Sequence, residues 1–365
     1  MHQSFLLIGH RASGKSTLGR RLARASGLPF IDLDDVIARR SGTSVADMVA
    51  ENEPAFRDAE QEEMRSVLAR NTPAVIAAGG GMTVFPDGLF TVWISRDGWD
   101  EDAVTKRRRL RPEIPAEEEI AWMRETREER YRRAAHLRLH IERGCGEVEA
   151  ARRLEVLTRW LINAVGSPGI RRSWMLPRDL DDLPRCVSDT RLFGMAGVEI
   201  RSDRFSALPE VDVPWLASLR TEEDGFFRRA HDAAAFDCDT ALLAHLDLSG
   251  LTPRPLILST HPNDVYREFF EHLISLPAWI RSAWPEWTKH LTLKYAPRVK
   301  SWTELRYAYQ LYKVYEKNGG RIMFLPQGKA WRWVRAMRLI SGNDWNYISS
   351  GCCEESHLPP ALDYF

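Results

Sequence analysis

The residue pattern most specific for chemistry is a glycine-rich loop near the start of the chain. Gly9, four further residues and then Gly14-Lys15-Ser16 complete the pattern GxxxxGK[ST]. An apolar run at residues 5–8 precedes it and a stretch with helical periodicity follows. In such a loop the backbone N–H groups turn around phosphate oxygens, while the lysine and the hydroxyl add a charge and a metal ligand. The predicted nucleotide-phosphate site comprises Gly9, Ala12, Ser13, Gly14, Lys15, Ser16 and Thr17.

Three charged or glycine-rich features follow the loop. Asp32 and Asp34 stand two apart at the end of the apolar stretch PFIDLD, which predicts that both lie on one side of a second strand. Arg57 is followed one helical turn later by Glu60, a spacing that favours an ion pair. A glycine run at 79–81 ends another predicted strand, where a ligand could approach the backbone. Taken singly, each feature also has a structural explanation: a helix cap, a surface pair and a turn.

In this order the features resemble shikimate kinase, a phosphotransferase that uses ATP and Mg²⁺. The family pattern continues with an Arg-Pro lid and an R-x-x-x-Y element, which Arg111-Pro112 and Arg127 with Tyr131 match. The resemblance covers residues 1 to about 160 and departs at RPEIP, where the family more often has Arg-Pro-Leu-Leu. It implies a P-loop NTPase-type domain with a parallel sheet, and shikimate as the phosphate acceptor.

The same resemblance implies roles in substrate binding. Asp34 would hydrogen-bond the ring hydroxyls of shikimate and help to activate the hydroxyl that attacks. Arg57 and Arg127 would hold the carboxylate, for which two planar guanidinium groups are suited. The backbone contacts would come from Gly79, Gly80 and Gly81.

The resemblance also implies which residues act on the phosphates. Lys15 and Arg111, the latter from the lid, would neutralise the transferred phosphoryl group, because this reaction depends on positioning and charge more than on covalent chemistry. Ser16 would bind Mg²⁺, and Asp32 would complete the metal's ligand shell through water.

A second set of charged residues follows predicted strands beyond residue 170. Glu199, Arg201 and Asp203 alternate along one strand, so their side chains point to one side of it. Arg220 ends the next strand, and His261 ends a later apolar strand. Each of these positions also fits a plain structural role, as an edge strand with a charged face or as a lone structural histidine.

Lys294 lies inside a strand that is otherwise apolar, in the stretch KHLTLKYA. A desolvated lysine has a lowered pKa and becomes a nucleophile toward ketones. The structural alternative is an ammonium group that reaches the end of the strand and water.

In this order the residues resemble type I 3-dehydroquinate dehydratase, a lyase, over residues of about 173–350. The resemblance implies that Lys294 forms an imine with the substrate ketone, that His261 transfers protons, and that Asp224 orients His261. Arg332 would hold the substrate carboxylate. The ring hydroxyls and the network around them would be held by Glu199, Arg201 and Arg220.

The bulk composition excludes some classes of protein. The 51 Lys and Arg residues balance 51 Asp and Glu residues, which gives no electrostatic case for nucleic-acid binding. No apolar run is long enough for a membrane span, and the N-terminal stretch MHQSFLLIGH is typical of a first strand rather than a signal peptide. The five cysteines lack metal-binding spacing. A cytoplasmic protein with small-molecule substrates is expected.

The elements that must position these residues divide into two domains. Residues 1–166 alternate strands with helices, which predicts a parallel α/β sheet. A Gly-Ser-Pro-Gly stretch then breaks a helical segment. Residues 167–365 contain eight strand candidates, at 173–177, 197–203, 213–220, 235–239, 255–260, 290–296, 320–325 and 345–349. Eight strands with intervening helices predict a compact (β/α)8 TIM barrel.

The leading hypothesis is a bifunctional enzyme of one pathway, similar to adjacent domains of the fungal AROM polypeptide. It would phosphorylate shikimate and dehydrate 3-dehydroquinate. Departures from the dehydratase pattern leave alternatives open. Asp224 stands where the family usually has Glu, Pro262 follows His261 in place of an Asp, and the stretch SHLPPALDYF lacks the family's loop glutamine. The alternatives are a shikimate kinase with an inactive barrel and a metabolite-sensing regulatory protein. The sequence leaves the oligomeric state open.

Overall fold

A computed structural model describes residues 3–105, 109–263, 268–317, 320–328, 334 and 347–349. The chain forms two compact units, the first built mainly from Met1–Asn163 and the second mainly from Ala164–Ser349. The division falls three residues before the predicted boundary between residues 166 and 167. The functions assigned to the two predicted domains remain predictions.

The first unit is a five-stranded, all-parallel sheet in the order β2-β3-β1-β4-β5. Its strands are β1 Phe5–Ile8, β2 Phe30–Asp32, β3 Val75–Ala77, β4 Phe90–Arg96 and β5 Leu137–Ile141. Its helices are α1 Lys15–Ser26, α2 Leu33–Ser41, α3 Val45–Ala69, α4 Trp99–Thr105, α5 Ala116–Ala134 and α6 Glu147–Ala164. The predicted parallel α/β fold is therefore confirmed for this unit.

The central strands are buried on both faces, as their continuous apolar sequences require. Every residue of β1 is buried, and helices pack over an apolar cluster that includes Leu6, Ile8, Leu33, Met64 and Trp93. In a parallel sheet the carboxyl ends of all strands lie at one edge. The glycine-rich loop follows β1, Asp32 ends β2 and the glycine run follows β3, so this edge gathers them.

The structure corrects one local expectation and adds two elements that were not expected. Asp34 does not lie on the second strand, because β2 ends at Asp32 and α2 begins at Leu33, whose side chain is fully buried. The helical stretch expected at 54–70 is found as the second part of α3, since Asn52 breaks the helix with φ −157° and ψ 88° and its Oδ1 accepts from the N–H of Ala55 at 3.0 Å. The first part, which begins at Val45 after the capping residue Ser44, was not expected. Strand β5 was not expected, although its stretch LRLHI alternates buried and exposed residues.

The second unit is an eight-stranded sheet in the order β12-β11-β10-β9-β8-β7-β6-β13, with every pairing parallel. Its strands are β6 Trp174–Leu176, β7 Gly197–Arg201, β8 Trp215–Leu219, β9 Ala235–Asp239, β10 Leu256–Thr260, β11 Leu291–Tyr295, β12 Ile322–Phe324 and β13 Tyr347–Ser349. All eight strands fall within their predicted ranges.

Helical segments lie in most of the described connections between strands, but residues 202–214 between β7 and β8 form no helix. The helical segments are α7 Pro168–Arg171, α8 Leu183–Phe193, α9 Phe226–Arg229, the 3-10 helix Thr240–His245, α10 Glu268–Ala283, the 3-10 helix Pro285–His290 and α11 Trp302–Lys317. The last strand, β13, pairs with the first, β6. Among the described residues, the pairings run from β12 to β13 in a single series, and closure of the sheet into a barrel remains a prediction.

One face of this sheet carries a layer of apolar side chains followed, further along the strands, by a layer of polar side chains. Leu216, Ala235 and Ile257 belong to one apolar cluster. Ser218, Asp237 and Ser259 stand two residues further along the same strands, so they share that face. The polar layer therefore lies toward the carboxyl ends of the strands.

In the part of the chain that the structure describes, no helix combines the length and apolar character needed to cross a membrane.

Candidate functional sites

The glycine-rich loop encloses the ammonium group of its own lysine. Lys15 is 8% exposed, and its Nζ donates to the carbonyl oxygens of Gly9 at 2.9 Å and His10 at 2.8 Å. Gly14 adopts the left-handed φ of 97° that turns the chain into α1, which carries no acidic residue in its first turn. The positive end of the α1 dipole is thus unopposed at the loop, as an anion site requires.

A cavity of about 500 Å³ brings this loop together with most of the predicted site. Its lining includes residues from the loop, from the ends of β2 and β3, and from helices α3 and α5. The predicted residues among them are Ala12, Lys15, Ser16, Thr17, Asp32, Asp34, Arg57, Gly79, Gly80, Gly81 and Arg127. Residues far apart in sequence therefore meet beside the phosphate loop.

Carboxylates and one guanidinium form the acidic side of the cavity. Arg57 donates to Glu60 at 3.0 Å, as predicted, and also to Glu53 at 2.9 Å. Burial raises the pKa of Asp34, and the negative charge of Asp32 adds to this effect, while Lys15 and Arg57 oppose it. A carboxyl group with a raised pKa is a better proton acceptor than an ordinary one.

The glycine run leaves room for these groups. A Cβ atom on Gly79 would lie 2.1 Å from Oε1 of Glu60 and 2.8 Å from Oδ1 of Asp34, and one on Gly81 would lie 2.1 Å from Nη2 of Arg57. Distances this short exclude any side chain without local rearrangement. The sequence predicts that glycines here allow a ligand to approach the backbone. In the structure, the groups that approach this backbone are charged side chains of the protein itself.

Arg127 reaches the same run from α5. Its Nη1 donates to the carbonyl oxygen of Gly80 at 2.8 Å, and the Tyr131 hydroxyl donates to the same oxygen at 2.5 Å. Burial lowers the pKa of the Arg127 guanidinium and raises the pKa of Tyr131. Arg57 and Arg127 thus approach the glycine run from two different helices.

Arg111 lies elsewhere. Its guanidinium stacks on the ring of Trp122, with Cζ 3.9 Å from the ring centroid, while the neighbouring Leu110 lines the cavity. The segment is anchored by Glu119, which accepts from Arg109 Nε at 2.9 Å and from the N–H of Leu110 at 2.8 Å. The structure therefore does not bring Arg111 to the phosphate loop.

The cavity fits a nucleotide with a divalent cation. Ser16 and Asp32 line it beside Lys15 and offer hydroxyl and carboxylate oxygens, the ligands that Mg²⁺ prefers. Among the described residues, no group of three or more His, Cys, Asp or Glu side chains could hold a metal ion. Magnesium bound with a nucleotide needs only one or two protein ligands, because phosphates and water supply the others.

The second unit holds Lys294 inside its sheet. The side chain is 10% exposed, and Nζ lies 3.7 Å from Oδ2 of Asp237. Burial lowers the pKa of Lys294 to about 8, although the Asp237 carboxylate works in the opposite direction. At pH 7 about a tenth of the amine is therefore uncharged, far more than for an ordinary lysine.

A buried network surrounds this lysine. Asp237 accepts from Arg220 Nη2 at 2.6 Å and from Ser259 Oγ at 2.6 Å. Glu199 accepts from Ser218 Oγ at 2.5 Å and lies 3.5 Å from Arg220. Burial favours the protonated form of Asp237, but the Arg220 and Lys294 charges hold its pKa well below the usual range.

The predicted partner of His261 is wrong. Nδ1 of His261 lies 3.1 Å from Oδ2 of Asp239, whereas the Asp224 side chain is 90% exposed and pairs with His245 at 2.8 Å. Asp239 ends β9, directly beside the strand that precedes His261, while Asp224 lies in a loop after β8. Burial disfavours ionisation of Asp239, yet hydrogen bonds from His261 and the N–H of Ala241 lower its pKa.

Of the other residues predicted to bind substrate in the second unit, Arg201 is described by the structure and Arg332 is not. Arg201, the last residue of β7, donates two hydrogen bonds to the carboxylate of Asp203, at 2.8 and 2.6 Å. Arg332 lies outside the described residues. Asp237 and Asp239 were missed, although the stretch AFDCD has the same spacing of carboxylates at a strand end that marked Asp32 and Asp34.

The first unit is similar in sequence to known shikimate kinases. A family model described as shikimate kinase matches residues 11–150. A shikimate kinase of Paracidovorax citrulli is 37% identical over 153 residues, which are 39% of this chain and 84% of the relative. One of Caulobacter vibrioides is 34% identical over 153 residues, or 74% of its length.

One solved structure that matches part of the chain is described as shikimate kinase from Acinetobacter baumannii in complex with shikimate. The two sequences are 22% identical, and the match covers 43% of this chain and 93% of the solved chain, with a TM-score of 0.37. ATP and Mg²⁺ are the cofactors of this kinase family, in agreement with the sequence-based expectation. By the residues of its first unit, the chain belongs to the shikimate kinase family.

Proposed function

We propose that the first unit transfers the γ-phosphoryl group of ATP to the 3-hydroxyl of shikimate. The observation that carries this proposal is the cavity in which the phosphate loop faces Asp34, Arg57 and Arg127 across the glycine run. A phosphate donor and an anionic, hydroxylated acceptor can meet there, because cationic groups are present for both.

Each residue then has a defined task. Lys15 leaves the carbonyl oxygens of Gly9 and His10 and turns to the phosphates when a nucleotide arrives. Arg111 leaves Trp122 and adds its charge at the transferred group. Ser16 and Asp32 would hold Mg²⁺, which supplies neutralisation of phosphate charge when bound.

On the acceptor side, Arg57 and Arg127 bind the carboxylate of shikimate, and Asp34 accepts a hydrogen bond from the hydroxyl that attacks. The raised pKa of Asp34 suits it to take up the proton of that hydroxyl as the new bond to phosphorus forms. The bond from the γ-phosphorus to the bridging oxygen breaks, and ADP leaves.

A coupled assay for ADP release tests this proposal. We expect Mg²⁺-dependent ADP formation with shikimate and at least tenfold less with quinate at equal concentration. A matched pair of variants, Arg57→Ala and Arg65→Ala, separates the site from the exposed face of the same helix; only the first should raise KM for shikimate. ADP release that does not depend on shikimate would contradict the proposal.

We further propose that the second sheet closes into a (β/α)8 barrel and dehydrates 3-dehydroquinate. The supporting observation is the buried Lys294 side chain, whose Nζ lies 3.7 Å from Asp237, with the His261–Asp239 pair at the carboxyl ends of nearby strands. Burial of the amine also lowers its pKa. The domain boundaries 1–166 and 167–365 belong to the same proposal.

In this reaction the Lys294 amine adds to the substrate ketone and water leaves, which gives an imine. His261 removes a proton from the adjacent carbon, and the electron pair moves into the imine. The hydroxyl group one carbon further then departs as water, with a proton from His261. Hydrolysis of the imine releases 3-dehydroshikimate and restores Lys294.

Borohydride trapping separates this proposal from its alternatives. Reduction in the presence of 3-dehydroquinate should attach the substrate to Lys294, and the adduct should be lost in Lys294→Met but kept in Lys289→Met, which changes an exposed lysine. Trapping at the wild-type lysine supports the dehydratase. Absence of any adduct together with shikimate kinase activity supports a kinase with an inactive barrel, and absence of both activities supports a metabolite sensor.

A further inference from the structure

His10 is the second residue of the phosphate loop, and its imidazole is enclosed by aromatic rings. It is 2% exposed. The ring stacks on Trp99 of α4, with centroids 3.8 Å apart and planes 3° from parallel, and meets the Tyr131 ring edge-on at 5.2 Å. Its Nε2 lies 3.2 Å from Oε1 of Glu128. One side chain of the loop is therefore clamped between two helices.

The backbone of the same residue holds other parts of the site. Its carbonyl oxygen accepts from Lys15 Nζ at 2.8 Å and from the N–H of Ser13 at 3.3 Å. Gly80 packs directly on the next peptide bond, since a Cβ there would lie 2.8 Å from the N atom of Arg11. The position of the His10 backbone thus affects both the phosphate-binding lysine and the glycine run.

The ring acts by packing rather than by charge. Burial lowers the pKa of His10, while the carboxylate of Glu128 raises it and the charges of Arg127 and Lys15 lower it. The imidazole is therefore neutral at neutral pH and donates from Nε2 to Glu128. Nδ1 is buried and has no hydrogen-bond partner among the described residues, so the ring offers no polar contact to the loop interior.

We propose that His10 is the positioning residue of the nucleotide site. Its stacked ring fixes the loop backbone in the conformation whose N–H groups and lysine receive the phosphates. This proposal rests on the proposed kinase function only in that the loop binds a nucleotide. Without the ring, the loop must pay the entropy of becoming ordered when the nucleotide binds.

Calorimetric titration of the full chain with Mg²⁺ and ADP tests the role. His10→Ala should raise the Kd for ADP by roughly tenfold, the loss expected when a stacked aromatic pair and a hydrogen bond disappear. His10→Phe keeps the stack and should bind within about threefold of the wild type. This rescue by another ring is the readout that loss of overall stability would not produce.

His136 provides the matched control. It is 4% exposed in the same unit, and its Nδ1 accepts from the N–H of Thr91 at the opposite, amino-terminal end of the strands. His136→Ala should leave the Kd for ADP unchanged within twofold. If His10→Ala does not stay folded, His10→Leu takes its place, since leucine fills the volume without stacking.

The proposal is overturned if the variant without a ring binds ADP as tightly as the wild type, if His136→Ala loses as much affinity, or if His10→Phe is as weak as His10→Ala. Because ADP binding needs no acceptor, a wild-type protein that binds Mg²⁺ and ADP but does not phosphorylate shikimate would refute the proposed function and leave this inference intact.

Discussion

The two candidate sites place their charges on different kinds of backbone. In the first unit the charged groups follow the ends of strands or project from helices α3 and α5, and they surround a cavity with cationic groups for anionic ligands. In the second unit Glu199, Asp237 and Lys294 stand on the strands themselves, and Arg220 follows β8 directly. There Asp237 is matched by Arg220 and Lys294 before any substrate arrives.

The difference separates two ways of preparing a reactive group. The phosphate loop relies on backbone N–H groups, a helix terminus and Lys15, all of which complement charge that the ligand brings. The lysine site relies on burial, which shifts the pKa of Lys294 to about 8, and on strands that fix the neighbouring groups. In the phosphate site the balancing charge comes with the ligand, whereas in the lysine site the charged groups are already paired within the protein.

The largest effect is expected from a substitution in the phosphate loop, which should impair the first site and leave the second unchanged. Lys15→Met should lower kcat of shikimate phosphorylation by roughly 10²- to 10³-fold, because a charge aimed at the phosphates is lost. Imine trapping at Lys294 on the same preparation checks that the chain is folded. A loss of less than fivefold would show that Lys15 does not act on the transferred group.

A second comparison concerns the histidine of the lysine site. Asp239→Asn should lower kcat of dehydration by about 10²-fold, since the carboxylate that orients and charge-stabilises His261 is removed. Asp224→Asn, which changes an exposed carboxylate, should stay within about threefold of the wild type. If Asp224→Asn lowered kcat more than Asp239→Asn, Asp224 would be the partner of His261 after all.

A third change tests the crowding of the glycine run. Gly79→Ala should raise KM for shikimate by about tenfold, because the new methyl group displaces Glu60 and Asp34 from their positions. Gly88→Ala is the control in the same connection, where a Cβ meets no atom within 4 Å. Its left-handed φ of 79° should lower the unfolding temperature without changing KM.

The smallest expected effect is the pH dependence of the lysine site. Imine formation needs the uncharged amine, and with a pKa of about 8 the uncharged fraction rises as the pH increases. Between pH 7 and pH 8 the rate of imine formation should rise roughly fivefold and then level off. Asp237→Asn should move this rise to lower pH, because the Asp237 carboxylate raises the pKa of Lys294. A rate that stays flat across this interval would contradict the assigned lysine.

The sequence by itself determined the phosphate loop, the parallel α/β character of both units and the eight strands of the second. Contiguous motifs and runs of buried residues are local signals, because loop geometry and strand burial depend on neighbouring residues. The same holds for the Arg57–Glu60 pair, one helical turn apart.

Only the tertiary structure decided which distant side chains meet. It placed Asp34 on a helix, gave His261 the carboxylate of Asp239, moved Arg111 onto Trp122, and enclosed His10 between α4 and α5. Each of these contacts joins separate elements, and the distance between them is set by how helices and strands pack. Residue type and spacing along the chain carry no direct measure of that distance, which is why these partners appeared only in three dimensions.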